Sequence, residues 1–536
     1  MTKKQDSHVV EFKLDSTASD IRSVNVKLEV ARRLYNSTLA ELLRRNEAMR
    51  NTATWTELVA RNNEINPVLK KRKAIKKSSS EQKYLLNETL KLKSELSKEF
   101  IALRKEFGVS EYALNTFSRT NKNNCYFKEH LDANTIQKID KRVMDAFNRW
   151  CFESGGKPRF KGKNRAFKSL EGKTNKQGIR FIIGDDTHPT RIAWSGLNIP
   201  VKLDKRDPSG YQAAALQLIG KGEVAFTRII KRTVKGRDKL YAQTVLKGAP
   251  FVKAHHQTAF RKAKGKCVGL DLGVSTLAYY SETGASLLTG IAEIKQIQKK
   301  LAIHQAMASR ILRLSNPANY ERVEKRKGRK TIFVYRRKKN VVDSVKTNHW
   351  YRENAIIKEL HRKMAAKRKY MHDVYSNEIL THGNKIFTEK VSAKAWQKIF
   401  GKSIGAFAPA KLISVLSRKA ENADGKVEDI NTWKAKLSQY DHILDDFIKK
   451  KLSDRTMLVG GIDLVQRDLY SAFLAFCIDS EKETVCRATA QKQWPGARLR
   501  LDAAVKRLLI AKGKGFVPSS AGVAHLERLS RGAIAA

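Results

Sequence analysis

What the chain lacks narrows it first. Its five cysteines, Cys125, Cys151, Cys267, Cys477 and Cys486, form no CxxC pair. That argues against a disulfide framework or a zinc ribbon and fits a reducing compartment. No stretch of eighteen apolar residues occurs, and the opening MTKKQDSHVVEFKLDS has no apolar signal core. No membrane span is therefore predicted, and a soluble, intracellular protein is expected. Acidic residues are also few for the charge they face: 53 Asp plus Glu against 106 Lys plus Arg, a formal net charge of +53. A compact chain so charged repels itself unless a polyanion is present, and nucleic acid is the common large polyanion of a cell. A membrane-surface or ribosomal protein shares the charge but does not require the acidic residues described below. With 536 residues, 41% of them hydrophobic, the chain can build two to four domains around real cores.

From the start, Val10, Phe12 and Leu14 alternate with polar neighbours between His8 and Leu14, a strand that needs partners further on. Helical spacing follows over residues 20–48 (Leu28, Ala31, Tyr35, Leu39, Leu42), 54–71 and 80–106. KKRKAIKKSSS, residues 70–80, reads as an exposed basic loop, either a solvated turn or a nucleic-acid contact. Another helix is predicted in LDANTIQKIDKRVMDAFNRW, capped by Asp132 or Asn134, with an aromatic and aliphatic stripe better suited to a core than to base stacking. Directly after it, Lys157, Arg159, Lys161, Lys163 and Arg165 alternate with Phe160 and Phe167 on a Gly- and Pro-broken backbone, a pattern that suits phosphate contacts. From residue 178 to 247, IRFIIG, RIAWSGLNIPVKL, ALQLIG, EVAFTRIIKR and LYAQTVLKG read as short strands of a small antiparallel barrel or sandwich. The strand at residues 8–14 can complete it, which makes the helical block of residues 17–177 an insertion.

Three acids then stand in unusual places. Asp271 ends the apolar approach Val268, Gly269, Leu270, and Gly273 opens a turn into a second β-rich run. A lone buried Asp needs a partner, since its desolvation costs several kcal/mol. Glu389 sits in the short apolar strand NKIFTEKVS, which holds Ile386, Phe387 and Val391. Asp468 immediately precedes a buried helix face formed by Leu469, Ala472, Phe473 and Phe476. Singly, each has an ordinary reading: an edge residue, or a carboxylate at a helix start. As a set they resemble the constellation of the RNase H-like nucleases, in which three carboxylates hold two magnesium ions, or manganese, for phosphodiester hydrolysis. Between Asp271 and Glu389 lies the most basic stretch, residues 322–340, with Lys325, Arg326, Arg329, Arg336 and Arg337 as candidate nucleic-acid contacts.

On these residues the chain resembles the TnpB RNA-guided nucleases and the compact type V CRISPR effectors. GLDLGVSTLA is similar to the family's first RuvC motif, IFTEKVSAKAW to the second and QRDLYSAFLA to the third. RRLYNSTLAELLRR and GKPRFKGK also match, and GKVEDINTWKAKLSQ is similar to the segment leading into the family's zinc ribbon. The resemblance implies a multidomain α+β fold: a wedge β-barrel (residues 1–16 and 178–262) with an inserted helical recognition lobe (17–177), then an RNase H-like RuvC α/β nuclease domain (263–432 and 460–480) and a tail (481–536). Residues 433–459 stand where the ribbon belongs, but they carry no cysteine. His442 alone cannot make a tetrahedral zinc site, so no structural zinc is expected. Ile443, Leu444, Phe447, Met457, Leu458 and Val459 are left to hold the module.

The function implied is an RNA-guided DNA endonuclease, cytoplasmic and nucleoid-associated when bound, whose partners are a guide RNA and double-stranded DNA. Base pairing reads the target and the protein reads a short flanking motif. Asp271, Glu389 and Asp468 would be the catalytic, magnesium-holding residues. Two rivals remain: a guided binding effector without efficient cleavage, and a DDE-type transposase. The latter's acids usually run Asp, Asp, Glu, whereas here the order is Asp, Glu, Asp.

Overall fold

The computed structural model describes residues 6–522 apart from 74–78, 126–128, 290–291, 329, 340, 342–343, 391, 402–403, 450, 452–453, 480, 482, 515–516 and 518–520. Two compact units divide the chain after Phe251.

The first unit begins with β1 (Ser7–Leu14), followed by five helices: α1 (Ala18–Arg50), α2 (Ala53–Lys73), α3 (Ser80–Glu106), α4 (Glu111–Asn123) and α5 (Ala133–Phe152). Thr17 and Asp20 form a reciprocal capping box at the start of α1. Asp132 caps α5 and also accepts the indole N–H of Trp194 at 2.8 Å, which ties the helical block to the sheet. The apolar stripe predicted for α5 is core: Ile136, Ile139, Val143 and Phe147 pack with Leu28, Leu39 and Leu42 of α1. Of the basic stretch at 70–80, residues 70–73 continue α2, and 74–78 lie outside the described residues.

The sheet adds β2 (Ser169–Glu171), β3 (Arg180–Ile182), β4 (Arg191–Trp194), β5 (Leu197–Lys202), β6 (Val224–Val234) and β7 (Arg237–Lys247). Their order is β2-β6-β7-β1-β5-β4-β3, with every pair antiparallel. The orphan strand does join the later ones, and it lies in the middle of the sheet rather than at an edge. Phe12 of β1 meets Phe181 of β3 with ring centroids 5.1 Å apart although two strands separate them, so the sheet curls strongly. Edges β2 and β3 share no ladder among the described residues, and the sheet is open, not a closed barrel. One predicted strand is wrong: ALQLIG belongs to helix α6 (Tyr211–Gly220), whose start is held by Asp207 accepting the N–H groups of Gln212 and Ala213. A short apolar run does not distinguish strand from helix by period.

The second unit opens with α7 (Ala254–Ala263) and the antiparallel strands β8 (Cys267–Leu272), β9 (Leu277–Ser281) and β10 (Gly284–Leu288). Helix α8 (Ala292–Leu314), a separate two-stranded ribbon of β11 (Tyr320–Lys327) and β12 (Lys330–Arg337), and helix α9 (Asn348–His382) come next. Strand β13 (Lys385–Glu389), helices α10 (Ala393–Phe400), α11 (Ile404–Phe407) and α12 (Pro409–Glu421), and β14 (Lys426–Ile430) complete a five-stranded sheet of order β10-β9-β8-β13-β14. Strands β8, β13 and β14 run parallel, and this mixed sheet has an apolar layer on each face. On one face Val268, Leu270 and Ile386 pack with α9 and α12.

After α13 (Thr432–Ala435) come two small hairpins, β15 (Tyr440–Asp441) with β16 (Asp446–Phe447) and β17 (Thr456–Val459) with β18 (Asp463–Gln466). Helices α14 (Arg467–Phe476) and α15 (Arg487–Lys514) follow. The cysteine-less module is held differently from the expectation. Met457 and Val459 are buried, but Ile443, Leu444, Phe447 and Leu458 are exposed. The module's anchor is His442, fully buried among Tyr470, Phe473 and Trp494, with ring centroids 5.8, 5.6 and 4.9 Å away.

Candidate functional site

Side chains alternate across a strand. With Val268, Leu270 and Leu272 in one apolar layer, Gly269 and Asp271 therefore face the other side of the sheet, where α14 lies. On β13 the same logic puts Ile386 with the first layer and Phe387 and Glu389 with the α14 layer. The parallel register pairs Thr388 with Leu270, and its next step sets Glu389 abreast of Asp271. Both acids stand at the carboxyl ends of neighbouring parallel strands, where open α/β sheets bind their ligands.

The third acid comes from above the sheet. Gln466 caps α14 by accepting the Leu469 N–H at 2.7 Å, and Asp468 occupies the first turn, where the helix dipole favours a carboxylate. Gly269 lets α14 lie directly on β8: a Cβ there would run into the Ala472 carbonyl oxygen and the Phe476 nitrogen. The absence of one side chain thus lowers Asp468 toward the two strand acids.

Asp271 is the electrostatic centre of the group. Burial raises its carboxyl well above the ordinary range, and the negative charges of Asp468 and Glu389 push in the same direction. Burial likewise raises Glu389. Two neighbours oppose the rise at Asp271: the Arg467 guanidinium, which pairs with Asp468 at 3.5 Å, and the Ser471 hydroxyl, which is buried without a completed hydrogen bond. Sequence reasoning missed Arg467 and Ser471. Their signal was position: they flank Asp468 at −1 and +3, beside it and one turn on.

Among the described residues, no three His, Cys, Asp or Glu side chains form a group tight enough to enclose a metal ion. Asp271 senses the charges of Asp468 and Glu389, and the three do not close a cage. The chemistry of the donor set nonetheless fits a hard divalent cation: three carboxylates, one of them pressed toward neutrality by burial and then by the charges of the other two, are relieved by a positive charge between them.

The predicted nucleic-acid contacts fall in two places, one in each unit. Lys157, Arg159, Lys163 and Arg165 are exposed. Lys161 is drawn inward, its ammonium over the rings of Tyr35 and Phe167 at 4.9 and 5.0 Å and its backbone bonded to Asn36 and Arg32. In the second unit Lys325 and Arg326 are exposed on β11 and Arg336 and Arg337 on β12, with Arg336 paired to Glu321 at 2.7 Å. Arg329 lies outside the described residues, as does Val391 of the strand that carries Glu389. No helix among the described residues is long and apolar enough to cross a membrane.

No protein-family model matches the chain, and no curated protein does. Solved structures similar to it include the cryo-EM structure of a Cas12f1-sgRNA-target DNA complex, at 10% identity and a TM-score of 0.39, covering 87% of this chain and 98% of that one. Another is a Cas12i1 R-loop complex before target DNA cleavage, at 8% identity and a TM-score of 0.21, covering 79% of this chain and 57% of that one. At these scores no residue here is placed on a residue there, and the functional reading rests on the chain's own site and motifs.

Proposed function

We infer that the protein is an RNA-guided DNA endonuclease of the RuvC type, in which Asp271, Glu389 and Asp468 form the catalytic centre. The observation that carries this reading is that Asp271 lies within electrostatic reach of Asp468 and Glu389, from sequence positions far apart, at the carboxyl edge of a mixed sheet in a chain of net charge +53. The order of the acids and their flanking motifs support it. So does the mixed, five-stranded order of the sheet.

In this reading the two strand acids and the helix acid hold magnesium, which when bound activates water and stabilises the leaving oxygen of a phosphodiester. The chain's own residues do the rest. Gly269 sets the height of Asp468 above the sheet, and Arg467, paired with Asp468 at 3.5 Å, orients it. Ser471 faces Asp271, where its hydroxyl favours the charged carboxylate that a cation needs. The exposed basic residues of each unit neutralise phosphates of the guide RNA and the DNA.

One observation favours a second reading, guided binding without efficient cleavage: the acids do not close into an ion-enclosing group. Purifying the protein from its native locus and sequencing the bound nucleic acid tests what the two readings share. A single abundant RNA with a constant scaffold and a variable end is expected; heterogeneous RNA, or none, would sink both. Magnesium-dependent nicking of a matched DNA by that complex then separates cutting from binding alone.

A further inference from the structure

The ribbon β11–β12 stands apart from both larger sheets and is hydrogen-bonded to no other strand among the described residues. Its sequence holds eight basic residues against two acidic ones. The register places Arg322 opposite Tyr335, Arg326 opposite Thr331 and Arg337 opposite Tyr320, so these side chains share one face with Phe333. On that face Phe333 and Tyr335 are 53% and 52% exposed, although nothing in a solvated hairpin calls for two large rings at the surface.

Each ring carries a guanidinium. Arg322 lies over Phe333 at 3.9 Å, and Arg313, from the last turn of α8, lies over Tyr335 at 4.0 Å. Rings two residues apart on one strand are about 7 Å from each other, room for a base to stack beside each ring or on its planar arginine, with Arg326 and Arg337 at the margins for phosphates. Glu324 is the acidic residue on this face, and cations outnumber it. A duplex hides its base faces, whereas an unpaired strand offers them to aromatic and guanidinium planes.

We propose that this ribbon face is a stacking platform for an unpaired nucleic-acid strand, with Phe333 and Tyr335 receiving successive bases. The proposal rests on the nucleic-acid part of the reading above and is independent of cleavage. It goes beyond the basic residues to a strand state and to two side chains that carry no charge.

The test uses the full-length protein, freed of co-purified nucleic acid at high salt, and fluorescence anisotropy with a labelled oligo-dT, an oligo-U and a duplex of equal length. Phe333→Leu and Tyr335→Leu keep apolar bulk and should leave the thermal midpoint in place. Each is expected to weaken binding of the single strands by roughly tenfold, while duplex affinity and the salt slope stay unchanged. Phe333→Tyr should bind as the parent does. The DNA and RNA arms show which strand is preferred. Equal affinity of parent and Leu variants for the single strands would overturn the platform, and so would a parallel loss on the duplex. A parent that binds neither form would instead overturn the nucleic-acid reading itself.

Discussion

The Ala472 carbonyl occupies the space that a side chain on residue 269 would need, so helix and strand meet at Gly269 with only backbone between them. Gly269→Ala is therefore expected to push α14 away from β8. Overpacking of this kind typically costs 1–3 kcal/mol, and here the neighbour that must yield is backbone. Thermal unfolding should show a lower midpoint. Cleavage should fall further than the stability loss explains, because Asp468 moves with the helix. A variant as active as the parent would show that the height of α14 does not matter.

Asp271→Asn keeps the shape of its side chain and removes the carboxylate that a bound cation would draw into its charged form. If the three acids hold a catalytic cation, the loss of one is worth several kcal/mol at the transition state, on the order of a hundredfold or more in rate. Guided DNA binding, followed by filter retention, should survive. Loss of binding together with cutting would count against the proposed division of labour.

Much of the candidate site is legible in residue types alone. An acid at the end of an apolar strand, another in a second such strand and a third at a helix start are each ordinary alone, and only as a set do they ask for a common explanation. Their relative height was not legible, because it depends on which backbone passes over Gly269, and Ala472 lies far along the chain. The run ALQLIG is too short for its period to separate strand from helix, and the helix it belongs to begins earlier, at Tyr211, behind Asp207 and Gly210. The cysteine-less module was misjudged for a different reason. Its nearest apolar residues in sequence, Leu444 and Phe447, face solvent, while its real packing partners, Tyr470 and Trp494, come from α14 and α15.

Tyr470→Phe tests how that module is fastened. The Tyr470 hydroxyl accepts the His442 backbone N–H at 3.2 Å and exchanges a hydrogen bond with Nδ1 at 2.7 Å, all of it buried. Removing the hydroxyl leaves buried polar groups unmatched, at about 1–3 kcal/mol. Differential scanning calorimetry should show the second unit melting several degrees lower, with the first unit unmoved. Burial also holds the His442 imidazole at about 4, below its ordinary value. A group depressed in this way must be charged to unfold in acid, so stability falls as pH drops from about 6.5 to 4, by about 3 kcal/mol through this ring.

Asp140 works in the opposite direction in the first unit. It is fully buried, accepts hydrogen bonds from Ser118 at 2.7 Å and Thr38 at 3.4 Å, and burial lifts its carboxyl to about 7. Its folded pKa lies above its unfolded value, so the stability it adds is present in acid and is lost as pH rises through the folded value. Urea unfolding of Asp140→Asn at pH 5 and pH 8 should show the variant gaining about 3 kcal/mol on the parent across that interval. An unchanged difference between the two proteins would mean that Asp140 ionises normally.

The place of β1 in its sheet sets an order of events during synthesis. Ser7 pairs with Lys247 and Lys13 with Tyr241, so β1 leaves the ribosome almost the whole first unit ahead of its main partner. At 5–20 residues per second that lead is roughly 10 to 50 s. Meanwhile α1 to α5 can fold on local contacts, and their packing draws the two ends of the insertion together, which reduces the entropy lost when β1 finally inserts between β5 and β7. A nascent chain stalled before residue 237 would carry finished helices and a strand still lacking its main partner.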